Sequence, residues 1–176
     1  AVNVVNGTLN SVAGDMDTDD REDQAIGTTL SDTTWTAYFD FKIESIAANR
    51  SVIPFAINDG TGDLFTGDGL IFFATDTAGV LSFAFRSILS SATDVTSATS
   101  SAINYDQQYY NIIRRTSSTT FDCSVYADKA RTLLVETLTI TGASSSIGGF
   151  DNIAGGYATE FANPAEVATW ESDNFK

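Results

Sequence analysis

Two acidic loops carry the side chains best suited to holding a metal ion. The first is Asn58-Asp59-Gly60-Thr61-Gly62-Asp63, followed shortly by Gly67-Asp68, and its glycines allow carboxylate and carbonyl oxygens to converge. Oxygen ligands of this kind suit Ca²⁺, so Asp59, Asp63 and Asp68 are candidate calcium ligands. The same Asp-Gly and Gly-Asp pairs are ordinary turn sequences, and a plain turn is the competing interpretation.

The second acidic loop, from Asp15 to Asp23, superficially resembles the start of an EF-hand. In an EF-hand loop that began at Asp15, Asp20 would stand where glycine is required and Ile26 where the bidentate glutamate is required. The pattern therefore excludes an EF-hand. It favours a solvated loop, with a calcium site on charge density alone as the alternative.

Tyrosines on the solvent side of two predicted strands suggest a carbohydrate-binding surface. Residue alternation places Tyr38 beside Asp40 and Tyr126 beside Asp128 on the outward phase. Aromatic rings offer a flat amphipathic face on which a sugar ring can stack, and carboxylates accept hydroxyl hydrogen bonds. Tyr38, Tyr126 and Asp128 are therefore the candidate ligand-binding residues. Ordinary cross-strand pairing is the competing interpretation for each tyrosine.

The residue patterns of common hydrolases are missing. The chain has no histidine, which excludes Ser-His-Asp, Cys-His and His-Tyr arrangements. Its glutamates lie at positions 22, 44, 136, 160, 166 and 171, so only the last two are close in sequence. We therefore predict that the protein is not an enzyme, although a carboxylate pair assembled from distant loops stays open as an alternative.

Composition sets further limits. A chain of 176 residues with a formal net charge of −14 is of single-domain size, and its charge repels phosphate backbones and anionic lipids. Because of this charge, nucleic-acid binding is not expected. Membrane insertion is not expected either, because no apolar run approaches the ~20 residues that a spanning helix needs. One cysteine without histidine offers no zinc site. Ala1 fits both a processed secretory chain and an intracellular product without its initiator Met, which leaves the location open.

Strands are predicted along most of the chain. Alternation of apolar and polar residues from Trp35 to Ile43 and from Phe121 to Asp128 is typical of half-buried antiparallel strands, and it makes Cys123 a core thiol. A hairpin is predicted through Asp76-Thr77-Ala78-Gly79, and Ser87 to Ala102 reads as a long loop or an edge strand. Three further short strands are predicted at Val52 to Ile57, Leu70 to Thr75 and Val80 to Phe85.

One helix is predicted, near the end of the chain. Asn163 is a suitable N-cap, Pro164 a suitable first helical residue, and Glu166 stands where a capping box needs its acidic residue. We expect a short helix from Pro164 to about Ser172 that docks Trp170 on the sandwich.

These segments together resemble the laminin-G-like branch of the concanavalin A-like lectin/glucanase superfamily. Five segments carry the resemblance: Tyr109-Tyr110-Asn111-Ile112-Ile113, the turn at Ser117-Ser118, Val125-Tyr126-Ala127-Asp128, Gly148-Gly149 and Pro164-Ala165-Glu166-Val167-Ala168. The resemblance implies one all-β domain over residues 1–176, a two-sheet antiparallel jelly-roll sandwich with a short C-terminal helix. Lys129 stands where the family has a turn glycine. The Glu-x-Asp-x-Glu strand of the superfamily's glucanases is absent.

The same resemblance implies a non-catalytic recognition module. Its expected partner is a glycan or polysaccharide on a surface, with calcium as an accessory cofactor at Asp59, Asp63 and Asp68. The alternative is a virion structural protein, a capsid decoration or appendage subunit that uses the jelly roll to assemble on a shell, where a homo-oligomer is an option. Both readings imply an extracellular or virion-surface location.

Overall fold

The protein folds into two antiparallel sheets in a computed structural model that describes residues 8–11, 22–46, 51–60, 67–90, 92–100, 103–155, 157–159 and 168–173. The strands found in these residues, in chain order, are β1 Thr8–Ser11, β2 Glu22–Ala25, β3 Trp35–Ile46, β4 Ser51–Asn58, β5 Gly69–Thr77, β6 Val80–Leu89, β7 Ala92–Thr96, β8 Gln108–Ser117, β9 Thr120–Tyr126, β10 Leu134–Thr141, β11 Asn152–Gly155, β12 Tyr157–Thr159 and β13 Ala168–Asp173. No helix among these residues is long and apolar enough to cross a membrane.

The strands divide into sheet A and sheet B. Sheet A has the order β1-β13-β3-β8-β9-β10, and sheet B the order β2-β11-β4-β5-β6-β7 with β12 also paired to β4. Neighbours in chain order form hairpins, such as β8 with β9 and β5 with β6, while β13 returns to pair with β3. This arrangement confirms the predicted all-β, two-sheet antiparallel sandwich.

Aromatic rings fill the space between the sheets. Phe39 of sheet A lies parallel to Phe55 of sheet B, with ring centroids 4.4 Å apart. Phe72 on β5 is the centre of the cluster, because the rings of Phe39, Phe55, Phe83 and Phe85 all lie within 6.1 Å of it. All five rings are buried. Period-two alternation places these large residues inward on every central strand, which is why the two sheets face each other.

Local sequence signals predicted the central strands and their turns. Alternation on β3 and β9 is confirmed by the burial of Phe39, Phe41, Phe121 and Cys123. The β5–β6 hairpin turns at Ala78 and Gly79, both with positive φ, and Gly79 donates its N–H to the Asp76 carboxylate. The segment predicted as a loop or edge strand contains β7 at the edge of sheet B.

The predicted C-terminal helix is wrong over the part that the structure describes. Ala168–Asp173 form β13, which pairs with β1 on one side and β3 on the other, and Trp170 pairs through its backbone with Ser11 and Ile43. Backbone hydrogen bonding on two sides overrides a local capping signal. Residues 160–167, which contain the capping sequence itself, lie outside the described residues.

Arg115 ties one end of the sandwich together. Its side chain is fully buried against the rings of Phe121 and Phe150, with the guanidinium carbon 5.1 Å and 6.0 Å from their centroids. Its N–H groups donate to the carbonyl oxygens of Ser117, Ser118 and Ile147, at 3.2, 3.0 and 2.7 Å. One cation therefore holds the β8–β9 turn against the segment that leads into β11.

The two sheets differ on their outer faces. The outward residues Ile53, Ala56, Ile71 and Ile88 of sheet B form a second apolar cluster and are buried. The outward residues of sheet A are mostly tyrosines, threonines and charged side chains that are at least partly exposed, with the buried Ile112 and Ser124 among them. Of the two outer faces, that of sheet A is therefore the one suited to binding a polar ligand.

Candidate functional site

Three tyrosines lie on the outer face of sheet A. In the strand register, Asp40 of β3 stands opposite Tyr110 of β8, and Tyr110 stands opposite Tyr126 of β9. Tyr38 is two residues from Asp40 along β3 and on the same face. All three rings are partly exposed. We call this set, Tyr38, Tyr110 and Tyr126, the tyrosine patch.

Arg131 lies over the tyrosine patch. Its guanidinium carbon is 5.2 Å from the centroid of the Tyr38 ring and 5.9 Å from that of Tyr110. Its Nη2 donates to Oδ1 of Asp40 at 2.7 Å, and the Arg131 and Asp40 side chains are only 19% and 3% exposed. Asp40 was predicted to face solvent. It is instead buried, because Arg131 covers it.

Hydrogen bonds to Asp128 fix the conformation of the loop between β9 and β10, which carries Arg131. Its Oδ1 accepts the backbone N–H groups of Leu133 and Thr132 at 2.6 and 2.8 Å, and its Oδ2 accepts the Thr132 hydroxyl at 2.9 Å. The N–H of Arg131 donates to the Asp128 carbonyl, and Arg131 has a φ of 55°. The left-handed residue of this turn is therefore Arg131. Lys129, which stands at the family's glycine position, is not among the positive-φ residues.

These hydrogen bonds also set the charge of Asp128. The Leu133 N–H is the largest cause, joined by the Thr132 hydroxyl and N–H, and together they hold the pKa of the Asp128 carboxyl below its usual range. Because this pKa is lowered, the hydrogen bonds to the ionised carboxylate stabilise the folded state fully at pH values above the ordinary aspartate pKa. That stabilisation is lost as the pH falls through the pKa of Asp128 in the folded protein. Asp128 therefore stays ionised under mildly acidic conditions.

Two exposed leucines at the start of β10 lie next to Tyr126 of the tyrosine patch. Leu134 stands opposite Tyr126 in the register of β9 and β10 and is 55% exposed, and Leu133 beside it is 63% exposed. Large apolar side chains this exposed are unusual on the described surface, where Val80 is the other example. Together with the tyrosine patch they form a mixed aromatic and aliphatic surface of the kind found where proteins meet ligands.

The structure places Tyr38 and Tyr126 on the outer face of sheet A. Asp128, predicted on the same face of the strand, lies instead in the turn after β9, because its carboxylate accepts the N–H groups of that turn. The role of all three residues in binding stays a prediction. Sequence reasoning missed Arg131, Leu133 and Leu134. Those residues lie in or beside an irregular turn, where side-chain periodicity gives no direction. Asp128 and Thr132 flank Arg131 in the sequence, and side chains of these types often hydrogen-bond to the backbone of a turn. This pattern could have predicted a structured turn at Arg131.

The acidic loop residues predicted to bind calcium take part in backbone hydrogen bonds. Asp59 Oδ2 accepts the N–H of Asp68 at 3.1 Å, and the Asp68 carboxylate accepts the N–H groups of Ser90 and Gly148 at 3.0 and 3.2 Å. Asp63 lies outside the described residues. Within the described ranges, no group of three or more His, Cys, Asp or Glu side chains is placed to hold a metal ion. Calcium binding by Asp59, Asp63 and Asp68 stays a prediction.

We expect Arg131 and Asp40 to be energetically coupled by about 1–3 kcal/mol, because the pair is largely desolvated and hydrogen-bonded. The measurement is a double-mutant cycle of Arg131→Met, Asp40→Asn and the double variant, read by chemical denaturation. The control cycle is Lys42 and Glu44, an ion pair whose side chains are 23% and 34% exposed. Its coupling should fall below about 1 kcal/mol. Equal coupling in both cycles would contradict a special role for Arg131.

Comparison with known proteins agrees on the fold. No family model and no curated protein matches the sequence. Among solved structures, the CBM2 module of the evolved Dit of Lactobacillus casei BL23 phage J-1 is similar with a TM-score of 0.55 and 12% identity, over 82% of this chain and 61% of that one. The carbohydrate-binding module CBM66 from Bacillus subtilis is similar with a TM-score of 0.54 and 13% identity, over 97% and 92%.

A legume lectin-like domain from Entamoeba histolytica is similar with a TM-score of 0.57 and 9% identity, over 98% of this chain and 81% of that one. The chain therefore has the β-sandwich fold seen in carbohydrate-binding modules and lectin-like domains. At these identities the likeness concerns the fold alone.

Proposed function

We propose that this protein is a non-catalytic recognition module that binds carbohydrate through the outer face of sheet A. The observation that carries the proposal is the tyrosine patch, which gathers Tyr38, Tyr110 and Tyr126 from three adjacent strands. A sugar presents both C–H faces and hydroxyls, so a surface that binds it needs flat aromatic rings next to polar groups. The similar fold of two carbohydrate-binding modules and a lectin-like domain supports this choice.

The residues of the patch would play different parts. Tyr126 has no cation over its ring among the described contacts, so its ring is the first candidate for stacking on a sugar. Arg131 already lies over Tyr38 and Tyr110, and it would hold those rings in place while offering N–H groups at the edge of the patch. Asp128 is ionised and half-buried, and its Oδ2, which accepts one hydrogen bond within the turn, would accept a hydroxyl hydrogen bond from the ligand.

The direct test is a titration of the protein with a broad panel of neutral and acidic polysaccharides and oligosaccharides, followed by isothermal calorimetry on any that bind. Tyr126→Ala should weaken binding by about fivefold to tenfold, because one stacking contact is lost. Tyr126→Phe keeps the ring and should bind within about twofold of the wild type. Val80→Ala changes an exposed apolar side chain on sheet B and should leave binding unchanged.

Two results would overturn parts of this proposal. If no glycan in the panel binds, carbohydrate recognition is wrong. If a glycan binds and Tyr126→Ala binds it as well as the wild type, the binding surface lies elsewhere on the molecule. Repeating the titration in calcium and in a chelator tests the accessory role of Asp59, Asp63 and Asp68. Equal affinity and equal melting temperature in both conditions would remove calcium from the proposal.

A virion structural role is the second candidate. It is favoured by the similarity to a module of a phage Dit protein and by the exposed pair Leu133 and Leu134, which would suit contact with another protein. Hydrodynamic size separates the two candidates. A monomer at micromolar concentration favours the recognition module, whereas a symmetric oligomer or co-sedimentation with particles favours the structural role. Both candidates place the protein outside the cell or on a virion surface.

A further inference from the structure

A shallow depression of about 440 Å³ lies at the other end of the outer face of sheet A. Its lining residues come from the start of β3 and the end of β8: Thr34, Trp35, Thr36, Arg114, Arg115 and Thr116. Thr36 stands opposite Arg114 in the strand register, so the two side chains are neighbours on the outward side. Trp35 and Arg115 alternate with them and are buried against Phe121 and Phe150 in the core.

With Trp35 and Arg115 buried, the side chains that the depression offers to a ligand are one guanidinium and three hydroxyls. Thr34, Thr36 and Thr116 are exposed, and Arg114 is half-buried. The hydrogen bond seen for the Arg114 guanidinium runs from Nη1 to the Ser124 hydroxyl at 3.3 Å, a neutral acceptor. Over the part of the chain that the structure describes, no carboxylate oxygen lies within ion-pair distance of Arg114.

The acidic residue opposite Arg114 on β9 hydrogen-bonds to another side chain. Asp122 stands directly opposite Arg114 in the register of β8 and β9, where a cross-strand ion pair would be expected. Its Oδ1 instead accepts the Thr139 hydroxyl at 2.8 Å. The described contacts of the Arg114 guanidinium thus include one neutral hydroxyl, and its other planar N–H groups are available to an incoming anion.

We propose that this depression is a subsite for the carboxylate of an acidic sugar, with Arg114 as the residue that pairs with it. The inference rests on the proposed carbohydrate-binding function. Arg114 and Tyr110 lie on the same face of β8 and are four residues apart, a span of about 13 Å. A short oligosaccharide can therefore stack on the tyrosine patch and reach Arg114 at the same time. The strongly negative net charge disfavours dense polyanions, so the ligand is a glycan with isolated acidic residues.

The test compares matched acidic and neutral ligands by calorimetry or NMR titration. The pairs each differ by one isolated acidic sugar: glucuronosyl-xylotriose with xylotriose, and sialyllactose with lactose. The wild type is expected to bind at least one acidic member about tenfold more tightly than its neutral counterpart. Arg114→Met should abolish that preference, and Arg114→Lys should keep part of it, since lysine retains the charge without the planar fork. A higher salt concentration should reduce the preference.

Asp122→Asn is expected to strengthen binding of the acidic ligand, whereas Arg114→Met is expected to weaken it. It removes the negative charge beside Arg114, so the acidic ligand should bind at least about twofold more tightly, which loss of fold cannot produce. A cooperative denaturation transition with a native baseline under the titration conditions confirms that Arg114→Met is folded.

The subsite is wrong if acidic and neutral members bind the wild type equally, or if Arg114→Met keeps the preference. When neutral glycans still bind and Tyr126→Ala weakens them, the wider proposed function survives that failure. When no ligand binds at all, both proposals fail together.

Discussion

Replacing Arg115 by methionine is expected to lower the free energy of unfolding by about 3 kcal/mol or more. Methionine fills a similar volume, so the loss isolates the polar contacts. It leaves the buried carbonyl oxygen of Ile147 and the partly buried carbonyl oxygens of Ser117 and Ser118 without the N–H groups that now satisfy them. Burial lowers the pKa of the Arg115 guanidinium, and the Asp32 carboxylate at 3.7 Å opposes that shift. Urea unfolding followed by tryptophan fluorescence measures the change.

Arg114→Met is the matched control, since it makes the same substitution at the next residue on the outward side of β8. Its loss of stability should stay below about 1 kcal/mol, because Arg114 gives one hydrogen bond to a hydroxyl. Adjacent arginines would thus separate into one that holds the fold and one that binds ligand. Similar stability losses in both variants would show that Arg115 does not pin the two segments together.

Phe72→Ala is expected to cost about 3–5 kcal/mol, because it leaves a cavity at the centre of the aromatic cluster. Phe85, Phe39, Phe55 and Phe83 have ring centroids 5.0, 5.3, 5.5 and 6.1 Å from that of Phe72, so the cavity is bounded on several sides by rings. Rings held by two facing sheets cannot collapse far into the space. The loss can be read from the same urea transitions.

Phe73→Ala is the control for position on the strand. Phe73 is the next residue of β5, is half-buried on the outer face of sheet B, and has the Arg86 guanidinium 4.9 Å above its ring. We expect it to cost about 1–2 kcal/mol, less than half of the Phe72 effect. If the Phe73 variant is as unstable as the Phe72 variant, the aromatic cluster between the sheets does not contribute more to stability than the outer face of sheet B.

Much of the sandwich could be predicted because its signals are local. Alternation on β3 and β9 depends on one side being buried, and the β5–β6 hairpin depends on turn residues that accept positive φ. The C-terminal helix failed for the opposite reason. Its capping sequence is local, whereas β13 is defined by pairing with β1 and β3, which are far away in the chain.

The candidate site was only partly predictable. Tyr38 and Tyr126 follow from alternation, so their shared face could be inferred without a structure. Arg131 could not be inferred, because its position over Tyr38 depends on a turn with a left-handed residue and on a carboxylate from β3, 91 residues away. The depression at Arg114 depends on register between strands, which the sequence of one strand does not carry.

Cys123 gives the molecule a reporter for its own opening. It is the single cysteine of the chain, lies in the middle of β9 and is completely buried, and burial raises the pKa of its thiol. A thiol reagent reacts with the ionised, accessible form, so the native state is protected twice. Labelling by the reagent therefore occurs only when the structure opens far enough to expose β9, and its rate in native buffer reports the frequency of that opening without an engineered cysteine.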